Sequence, residues 1–311
     1  MEYWLLGRTG LRVSKLALGT AAFGLENYGI QEPGERGRLS EDEAIALVRA
    51  AIEKGINFFD TARGYGESEA VLGKGLSDCA SCIIATKVGF SAATKGSTAL
   101  TRTVMDSVET SLKALRRDVL DIVQVHNATQ DTLERGEILD VLERAREVGK
   151  LKFVGASVYG EPAALAAIRG GRVDVLQIAL NLLDQRMLAT VLPEARKSNV
   201  GVVARSVFLK GVLTDRAKLL PDGLRSLSEA SDRMREALGE TWESLPRTGL
   251  RFCLSAPGVH SVLVGLRSLS ELAAAVAAQD AGPLDSAVVR RTDLLKLSDD
   301  QLLDPSYWPK V

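Results

Sequence analysis

The sequence lacks several features that mark whole classes of protein. Its 39 Lys and Arg residues are balanced by 40 Asp and Glu residues, so no basic excess indicates a nucleic-acid partner. No run of about 18 apolar residues is present, and we therefore expect no membrane span. The first four residues, MEYW, lack the basic and apolar blocks of a signal peptide. These absences predict a cytoplasmic protein.

Cysteine is also scarce, with only Cys79, Cys82 and Cys253. The CxxC spacing of the first two is compatible with redox or metal chemistry. However, no second CxxC or pair of histidines is available to complete a metal site. Cys82 opens the apolar run CIIA, where a small side chain suits a protein core. We therefore favour a structural role for these cysteines and expect no bound metal.

What the sequence does contain is the composition of a large globular protein. Hydrophobic residues make up 46% of the chain and charged residues 25%, both near the globular average. A single barrel of eight βα units needs roughly 250 residues, so one barrel with extra loops fits the length. We expect residues 1–311 to form one domain.

Short apolar runs alternate with longer amphipathic stretches along the chain. The predicted strands are residues 15–18, 56–60, 83–86, 122–125, 153–157, 175–180, 200–204 and 259–264. The predicted helices are residues 41–54, 68–76, 101–115, 138–148, 162–168, 188–197, 227–238 and 270–278. Ser40 and Glu43 form a capping box before the first helix, and Gly55 ends it.

This alternation predicts parallel strands covered by helices. A doubly wound open sheet is the rival topology. Eight units without an obvious domain break favour the closed (β/α)₈ TIM barrel, preceded by a short hairpin in residues 3–13 and followed by a C-terminal tail over the barrel. No GxGxxG follows the first strand, so a Rossmann cofactor site is not supported.

Reactive side chains fall where the predicted strands end, which is where barrels carry their chemistry. Asp60 and then Tyr65 follow the second strand, Lys87 follows the third, and His126 follows the fourth. Each residue alone has an ordinary explanation: a turn cap, a packed ring, a surface charge or a hydrogen-bonded strand end. Together, at consecutive units, they predict a catalytic group.

These four side chains suit proton-coupled hydride transfer. A free tyrosine has a pKa of about 10, and a nearby ammonium such as Lys87 lowers it. Asp60 can pair with Lys87 and hold it in place, and His126 can orient a carbonyl oxygen towards Tyr65. No side chain delivers a hydride, so the hydride must come from a cofactor.

Several segments resemble the aldo-keto reductase family. Residues 55–69 (GINFFDTARGYGESE) are similar to the family signature around the catalytic Asp and Tyr. The other similar segments are residues 6–11 (LGRTGL), 18–20 (LGT), 85–89 (ATKVG), 121–126 (DIVQVH), 149–150 (GK) and 155–157 (GAS), with Gln177. They occur in order over nearly the whole chain.

The resemblance implies a (β/α)₈ barrel that binds NAD(P)(H) and reduces an aldehyde or ketone to an alcohol, or catalyses the reverse. It makes Tyr65 the general acid and base, and NADP(H) the expected cofactor, with NAD(H) as the alternative. The expected cofactor contacts are Gly19, Thr20, Ser157, Gln177, Arg205, Ser206, Phe208, Gly211, Gly265, Arg267 and Ser268. Of these, Ser157 and Gln177 would hold the nicotinamide carboxamide, and the last three would lie near the adenosine phosphate.

Four positions depart from the family pattern. Val158 replaces the usual Asn after the carboxamide-binding Ser, and Arg205 replaces an aromatic residue that stacks on the nicotinamide. Glu271 and Ala275 replace the Arg and Asn common in members that prefer NADP. Glu271 would repel a 2′-phosphate, whereas Arg267 and Ser268 could still bind one.

The expected ligand is a small carbonyl or alcohol compound, and Phe23, Tyr28 and Trp308 are candidates for its pocket wall. Trp308 could equally anchor the tail on the barrel. Two other functions stay open. One is a nicotinamide-binding regulatory subunit with little turnover, and the other is an aldolase-type barrel with Lys87 as a Schiff-base lysine.

Overall fold

Eight parallel strands close into a barrel, as the alternation of strands and helices predicted. The computed structural model describes residues 1–32, 34–89 and 97–309. The strands are β1 (Tyr3–Leu5), β2 (Arg12–Ser14), β3 (Leu16–Gly19), β4 (Phe58–Asp60), β5 (Ile83–Val88), β6 (Leu120–Ala128), β7 (Leu151–Val158), β8 (Val175–Ala179), β9 (Gly201–Arg205) and β10 (Ser261–Gly265). Strands β3 to β10 follow chain order around the barrel, and β10 pairs with both β9 and β3 to close it. The fold prediction is confirmed.

Helices surround the barrel and cover its outer apolar face. They are α1 (Glu41–Glu53), α2 (Ser68–Gly75), α3 (Ser97–Leu115), α4 (Gln130–Arg135), α5 (Glu137–Glu147), α6 (Glu161–Arg169), α7 (Val191–Lys197), α8 (Arg225–Leu238), α9 (Leu245–Ser255), α10 (Leu269–Asp280), α11 (Ser286–Asp293) and α12 (Asp300–Leu303). All eight predicted helices are present. Helices α4, α9, α11 and α12 were not predicted.

The N-terminal hairpin closes the bottom of the barrel. Strands β1 and β2 pair antiparallel, with Tyr3 opposite Ser14. Leu6 follows β1 and is buried in the apolar cluster inside the barrel. A Cβ atom on Gly7 would lie 2.3 Å from the backbone nitrogen of Gly201, and the glycine also has a positive φ of 50°. Only glycine therefore allows the hairpin to sit this close to β9.

Apolar side chains fill the lower part of the barrel interior. Phe58, Ile122, Val175 and Val203 are all nearly inaccessible to solvent and belong to one cluster. Because the bottom is closed by the hairpin and the interior is packed, polar side chains at the strand ends face only the opposite mouth. In the described part of the chain, no helix is long and apolar enough to cross a membrane.

Cys79 and Cys82 are joined by a disulfide bond. The sequence analysis expected Cys82 simply as a small core residue. It is indeed buried, directly before β5, but its sulfur is bonded to that of Cys79 in the preceding turn. Cys253 is free and buried. Among the described residues, no group of three or more His, Cys, Asp and Glu side chains could hold a metal ion.

Candidate active site

A cavity of about 540 Å³ opens at the C-terminal ends of the barrel strands. Its size lies within the range of about 300 to 1,000 Å³ that is typical of small-molecule sites. The predicted residues that line it are Gly19, Thr20, Tyr28, Asp60, Tyr65, His126, Ser157, Gln177, Arg205, Ser206, Phe208, Gly211, Gly265 and Arg267. The topology thus brings residues from seven different strands and the loops that follow them to one mouth.

Asp60 and Lys87 form a buried ion pair at the floor of this cavity. Asp60 ends β4, Lys87 lies in the adjacent β5, and each residue is only 1% exposed. The Lys87 ammonium donates to the Asp60 carboxylate and, at 2.9 Å, to the carbonyl oxygen of Thr61. Burial lowers the pKa of Lys87, and the opposite charge of Asp60 counteracts this effect.

Two amide groups complete the surroundings of the Asp60 carboxylate. Its Oδ2 atom accepts hydrogen bonds from Gln124 at 3.0 Å and from Gln177 at 2.8 Å. Sequence reasoning singled out Gln177 but missed Gln124. The available signal was a polar residue inside the apolar run Ile-Val-Gln-Val of β6. With donors on both oxygens, the carboxylate is well satisfied as an anion.

Tyr65 lies above this ion pair and beside His126. The Lys87 Nζ atom is 4.9 Å from the centre of the Tyr65 ring, and the Tyr65 and His126 rings meet edge to face at 5.8 Å. Burial and then the charge of Asp60 raise the pKa of Tyr65, while Arg205 opposes the rise. Lys87 was expected to lower this pKa. Burial of the phenol instead outweighs the positive charge of Arg205, so Tyr65 holds its proton at neutral pH.

His126 is an uncharged ring at neutral pH. Burial, followed by the charges of Lys87 and Arg205, lowers the pKa of His126 to about 4. A neutral imidazole carries one N–H donor and one acceptor, so it can donate a hydrogen bond to a carbonyl oxygen without transferring a charge.

Hydrogen bonds hold the loop that carries Tyr65 against the first barrel strand. The Ser68 hydroxyl lies 2.7 Å from that of Thr20 and 3.0 Å from that of Thr61. Gly24 approaches the same loop so closely that a Cβ atom there would lie 1.9 Å from the carbonyl oxygen of Tyr65. The position of the phenol is therefore determined by backbone packing and by a buried hydroxyl cluster.

A second buried carboxylate supports this loop from below. Glu69 is inaccessible to solvent and accepts hydrogen bonds from Thr86 at 2.6 Å and Ser111 at 2.7 Å. Arg63, also in the loop, pairs with its other oxygen at 2.6 Å. Residues 55–69 thus contain side chains that stabilise the fold, in addition to those that face the cavity.

The cavity extends from Asp60 and Tyr65 as a groove towards β10. Gly19 and Gly265 are paired in register there, so the floor between β3 and β10 has no side chains. Tyr28 borders this floor, with its Cε1 atom 3.8 Å from where a Cβ of Gly265 would be. Ser157 donates to the Gln177 Oε1 atom at 3.2 Å. The paired glycines therefore allow a close approach to the backbone in this part of the groove.

At the far end of the groove, charged side chains face one another. Arg267 lines the groove and lies 3.7 Å from Glu35, which also forms a two-pronged ion pair with Arg216. The Arg216 hydrogen bond lowers the pKa of Glu35 to about 2. Glu271 is held locally, because its carboxylate accepts the backbone N–H of Arg267 at 2.7 Å.

Three predicted site residues lie elsewhere. Ser268 is the N-cap of α10, where its hydroxyl accepts the Glu271 N–H, and it does not line the cavity. Phe23 is 2% exposed within the core. Trp308 is 9% exposed, and its indole N–H donates to the carbonyl oxygen of Leu302 at 3.1 Å. Of the two roles considered for Trp308, the geometry corresponds to the tail anchor.

Comparison with known proteins places this site in a family. The model of the Aldo/keto reductase family matches residues 15–296. The chain belongs to the aldo/keto reductase family. The resemblance found in the sequence is therefore confirmed, and it extends over nearly all of the barrel.

Individual relatives of this aldo/keto reductase differ in their named functions. The chain is 31% identical over 297 residues to L-galactose dehydrogenase from Arabidopsis thaliana, covering 89% of this chain and 88% of that protein. It is 26% identical to a probable voltage-gated potassium channel subunit beta from Oryza sativa, covering 91% and 93%. An aldo-keto reductase from Bacillus halodurans, solved in its holo form, superposes with a TM-score of 0.79 at 25% identity, covering 98% and 100%.

Proposed function

We propose that this aldo/keto reductase transfers a hydride between a nicotinamide cofactor and a small aldehyde or ketone. The observation that carries the proposal is the position of Tyr65. Its protonated phenol lies above the buried Asp60–Lys87 ion pair and edge-on to the neutral His126. A proton donor, a fixed cation and a neutral hydrogen-bond donor are the groups that reduction of a carbonyl needs.

In reduction, Tyr65 would donate its proton to the oxygen that becomes the alcohol. Lys87 lies 4.9 Å from the Tyr65 ring and would stabilise the phenolate that forms. Asp60 holds the ammonium in place, and Gln124 and Gln177 hold Asp60. His126 would orient the carbonyl oxygen. The nicotinamide supplies the hydride when it is bound.

The groove fits a dinucleotide cofactor. Its floor at Gly19 and Gly265 allows close backbone approach, and its far end carries Arg216 and Arg267 beside the N-terminus of α10. Backbone N–H groups at a helix N-terminus and guanidinium groups both favour phosphate. We propose NADP(H) as the preferred cofactor, with Arg267 as the residue that would bind the 2′-phosphate.

The cofactor preference gives a direct prediction. Wild-type protein should bind NADPH about tenfold more tightly than NADH. One charge-assisted hydrogen bond contributes roughly 1.5 to 3 kcal/mol, and we expect the lower end of this range because Arg267 also pairs with Glu35. Arg267→Gln should reduce this ratio to about one. The dissociation constants can be measured by quenching of protein fluorescence.

The matched control for this titration is Arg225→Gln, which makes the same change of residue on the exposed surface of α8, outside the cavity. It should leave the ratio of NADPH to NADH affinity unchanged. Equal affinities in the wild type would show that the NADP preference is wrong.

The neutral state of His126 gives a second prediction, on pH dependence. Its pKa is about 4 in the folded protein and near 6.5 in an unfolded chain, so between these values the unfolded state binds the extra proton. Folding stability should therefore fall as pH falls from about 6.5 to 4. Turnover in carbonyl reduction should stay level down to about pH 5 and then decline.

His126→Gln should lose this dependence, since glutamine keeps an N–H donor but does not titrate. The measurements are kcat and the thermal midpoint from pH 4 to 8 in both proteins. An acid limb in kcat centred near 6.5 would show that His126 is not held neutral.

The reaction itself is tested by mixing the protein with NADPH or NADH and a panel of aldehydes and ketones, and following nicotinamide absorbance. The rice relative favours a second candidate, a nicotinamide-binding subunit with little turnover. Tight cofactor binding without turnover of any compound, together with capture of a stable protein partner, would support that candidate. Borohydride trapping on Lys87 would instead support an aldolase mechanism, which the Asp60 ion pair disfavours by keeping the amine protonated.

We also propose that residues 1–311 act as one domain in the cytoplasm. The buried Leu6 and Trp308 attach both terminal segments to the barrel. Alkylation of thiols before cell lysis tests the location, because disulfides persist mainly in oxidising compartments. If Cys79 and Cys82 are found as a disulfide in every cell fraction, the proposed cytoplasmic location is wrong.

A further inference from the structure

Arg205 is an unpaired cation on the cavity wall. It ends β9, and its guanidinium lies 4.0 Å from the centre of the Tyr159 ring. Two of its N–H groups donate to neutral oxygens, the Ser206 hydroxyl at 2.9 Å and the Val158 carbonyl at 3.0 Å. No carboxylate of the described residues lies within ion-pairing distance. A guanidinium has five N–H donors, so donors remain for another group beyond those that bond Ser206, Val158 and Tyr159.

The rest of the inner cavity does not neutralise this charge. Lys87 is the neighbouring cation, and its charge is already matched by Asp60. Arg205 acts on the pKa values of both Tyr65 and His126, which places its field at the reacting groups. Although burial disfavours the charge, Tyr159 and Tyr65 hold the pKa of Arg205 above its ordinary value. The guanidinium therefore stays charged.

The groups around Arg205 are suited to binding an anion. Tyr28 and Tyr159 line the same cavity, and each phenol can supply an O–H donor. A partly buried charge without a partner is unfavourable, and a carboxylate is the group that matches the planar fork of a guanidinium. Stacking on Tyr159 and two fixed hydrogen bonds hold this fork in place before a ligand arrives.

We propose that Arg205 binds a carboxylate of the substrate, so that the carbonyl compounds reduced are aldehyde or keto acids. The proposal rests on the proposed function, because it places the anion beside the proton donor Tyr65. It also separates Arg205 from Arg216 and Arg267, which face the far end of the groove. The substrate would lie with its carbonyl at Tyr65 and its carboxylate at Arg205.

The test compares acids with their primary amides, which differ in charge but hardly in shape. Suitable pairs are glyoxylate, succinic semialdehyde and D-glucuronate, each against its amide. In the wild type, kcat/KM should be higher for each acid that binds than for its amide. Arg205→Gln should lower the ratio of acid to amide kcat/KM by about 30-fold or more, mainly through KM, as expected for loss of one partner of a buried charge pair. Arg205→Lys should keep part of the preference.

Arg225→Gln is the charge control, because it removes a cation from the exposed surface of α8 and should leave the ratio unchanged. An unchanged ratio in Arg205→Gln, or a wild type that prefers amides, would overturn the proposal. So would an equal loss for acids and amides with weaker NADPH binding, since Arg205 would then serve the cofactor.

The anion site can also be tested if the proposed function fails. If no compound is reduced with either cofactor, binding of the same acids and amides is measured by calorimetry on the cofactor-loaded protein. Selective acid binding that Arg205→Gln abolishes would still support the anion site. Equal binding of acids and amides would refute the anion site independently of turnover.

Discussion

Replacing Tyr65 by Phe should lower kcat for carbonyl reduction by about 10²- to 10⁴-fold, the contribution typical of one positioned general acid. The substitution removes only the phenolic oxygen. The ring remains beside His126 and Lys87, so the packing at 5.8 Å and 4.9 Å is kept. Because Tyr65 holds its proton at neutral pH, the loss should be the same across pH 6 to 8. Steady-state and single-turnover kinetics measure it.

The cofactor affinity of this variant should match that of the wild type, because the proposed function has the Tyr65 hydroxyl meet the substrate oxygen and not the cofactor. Tyr307→Phe is the matched control, since Tyr307 is 65% exposed and does not line the cavity. It should change neither kcat nor affinity. A Tyr65→Phe enzyme that turns over normally would show that the proton comes from another group.

The barrel was predictable because its strands and helices differ in apolar periodicity. The exact strand ends were less so. β6 was predicted as residues 122–125 but extends over Leu120–Ala128, because the polar residues Asp121 and His126 border the apolar run while backbone pairing continues. Helix α9 was missed because Pro246 and Gly249 weaken the helical pattern. Its position depends on burial of Leu250 and Phe252.

The candidate site was predictable only for residues that lie at the end of a predicted strand. Asp60, Lys87 and His126 follow apolar runs, so topology alone predicts that they meet. The contact between Arg205 and Tyr159 depends on the path of a loop, which no periodicity specifies. For the same reason Trp308 was a candidate for the pocket and lies in the core. The sequence thus predicts the reacting floor of the cavity better than its wall.

Breaking the buried ion pair should have the largest effect on stability. Lys87→Met leaves the Asp60 carboxylate at 1% exposure with only the amides of Gln124 and Gln177 as partners. An uncompensated buried charge costs about 3 to 5 kcal/mol. We expect a loss of that size in the free energy of unfolding, measured by urea denaturation, and loss of turnover. Asp60→Asn should act similarly, because it leaves the ammonium without an anion.

The double variant Asp60→Asn, Lys87→Met separates the two roles of the pair. With both charges gone, the burial penalty disappears, and the free energy of unfolding should recover to within about 1 to 2 kcal/mol of the wild type. Turnover should stay lost, because the ammonium that lies 4.9 Å from the Tyr65 ring is gone and can no longer stabilise the phenolate. Lys74→Met is the control: its pair with Glu41 lies at the surface, so less than about 1 kcal/mol should change. If the two single losses simply add in the double variant, the charges are not coupled. If turnover instead returns with stability, the ion pair holds the fold and takes no part in the reaction.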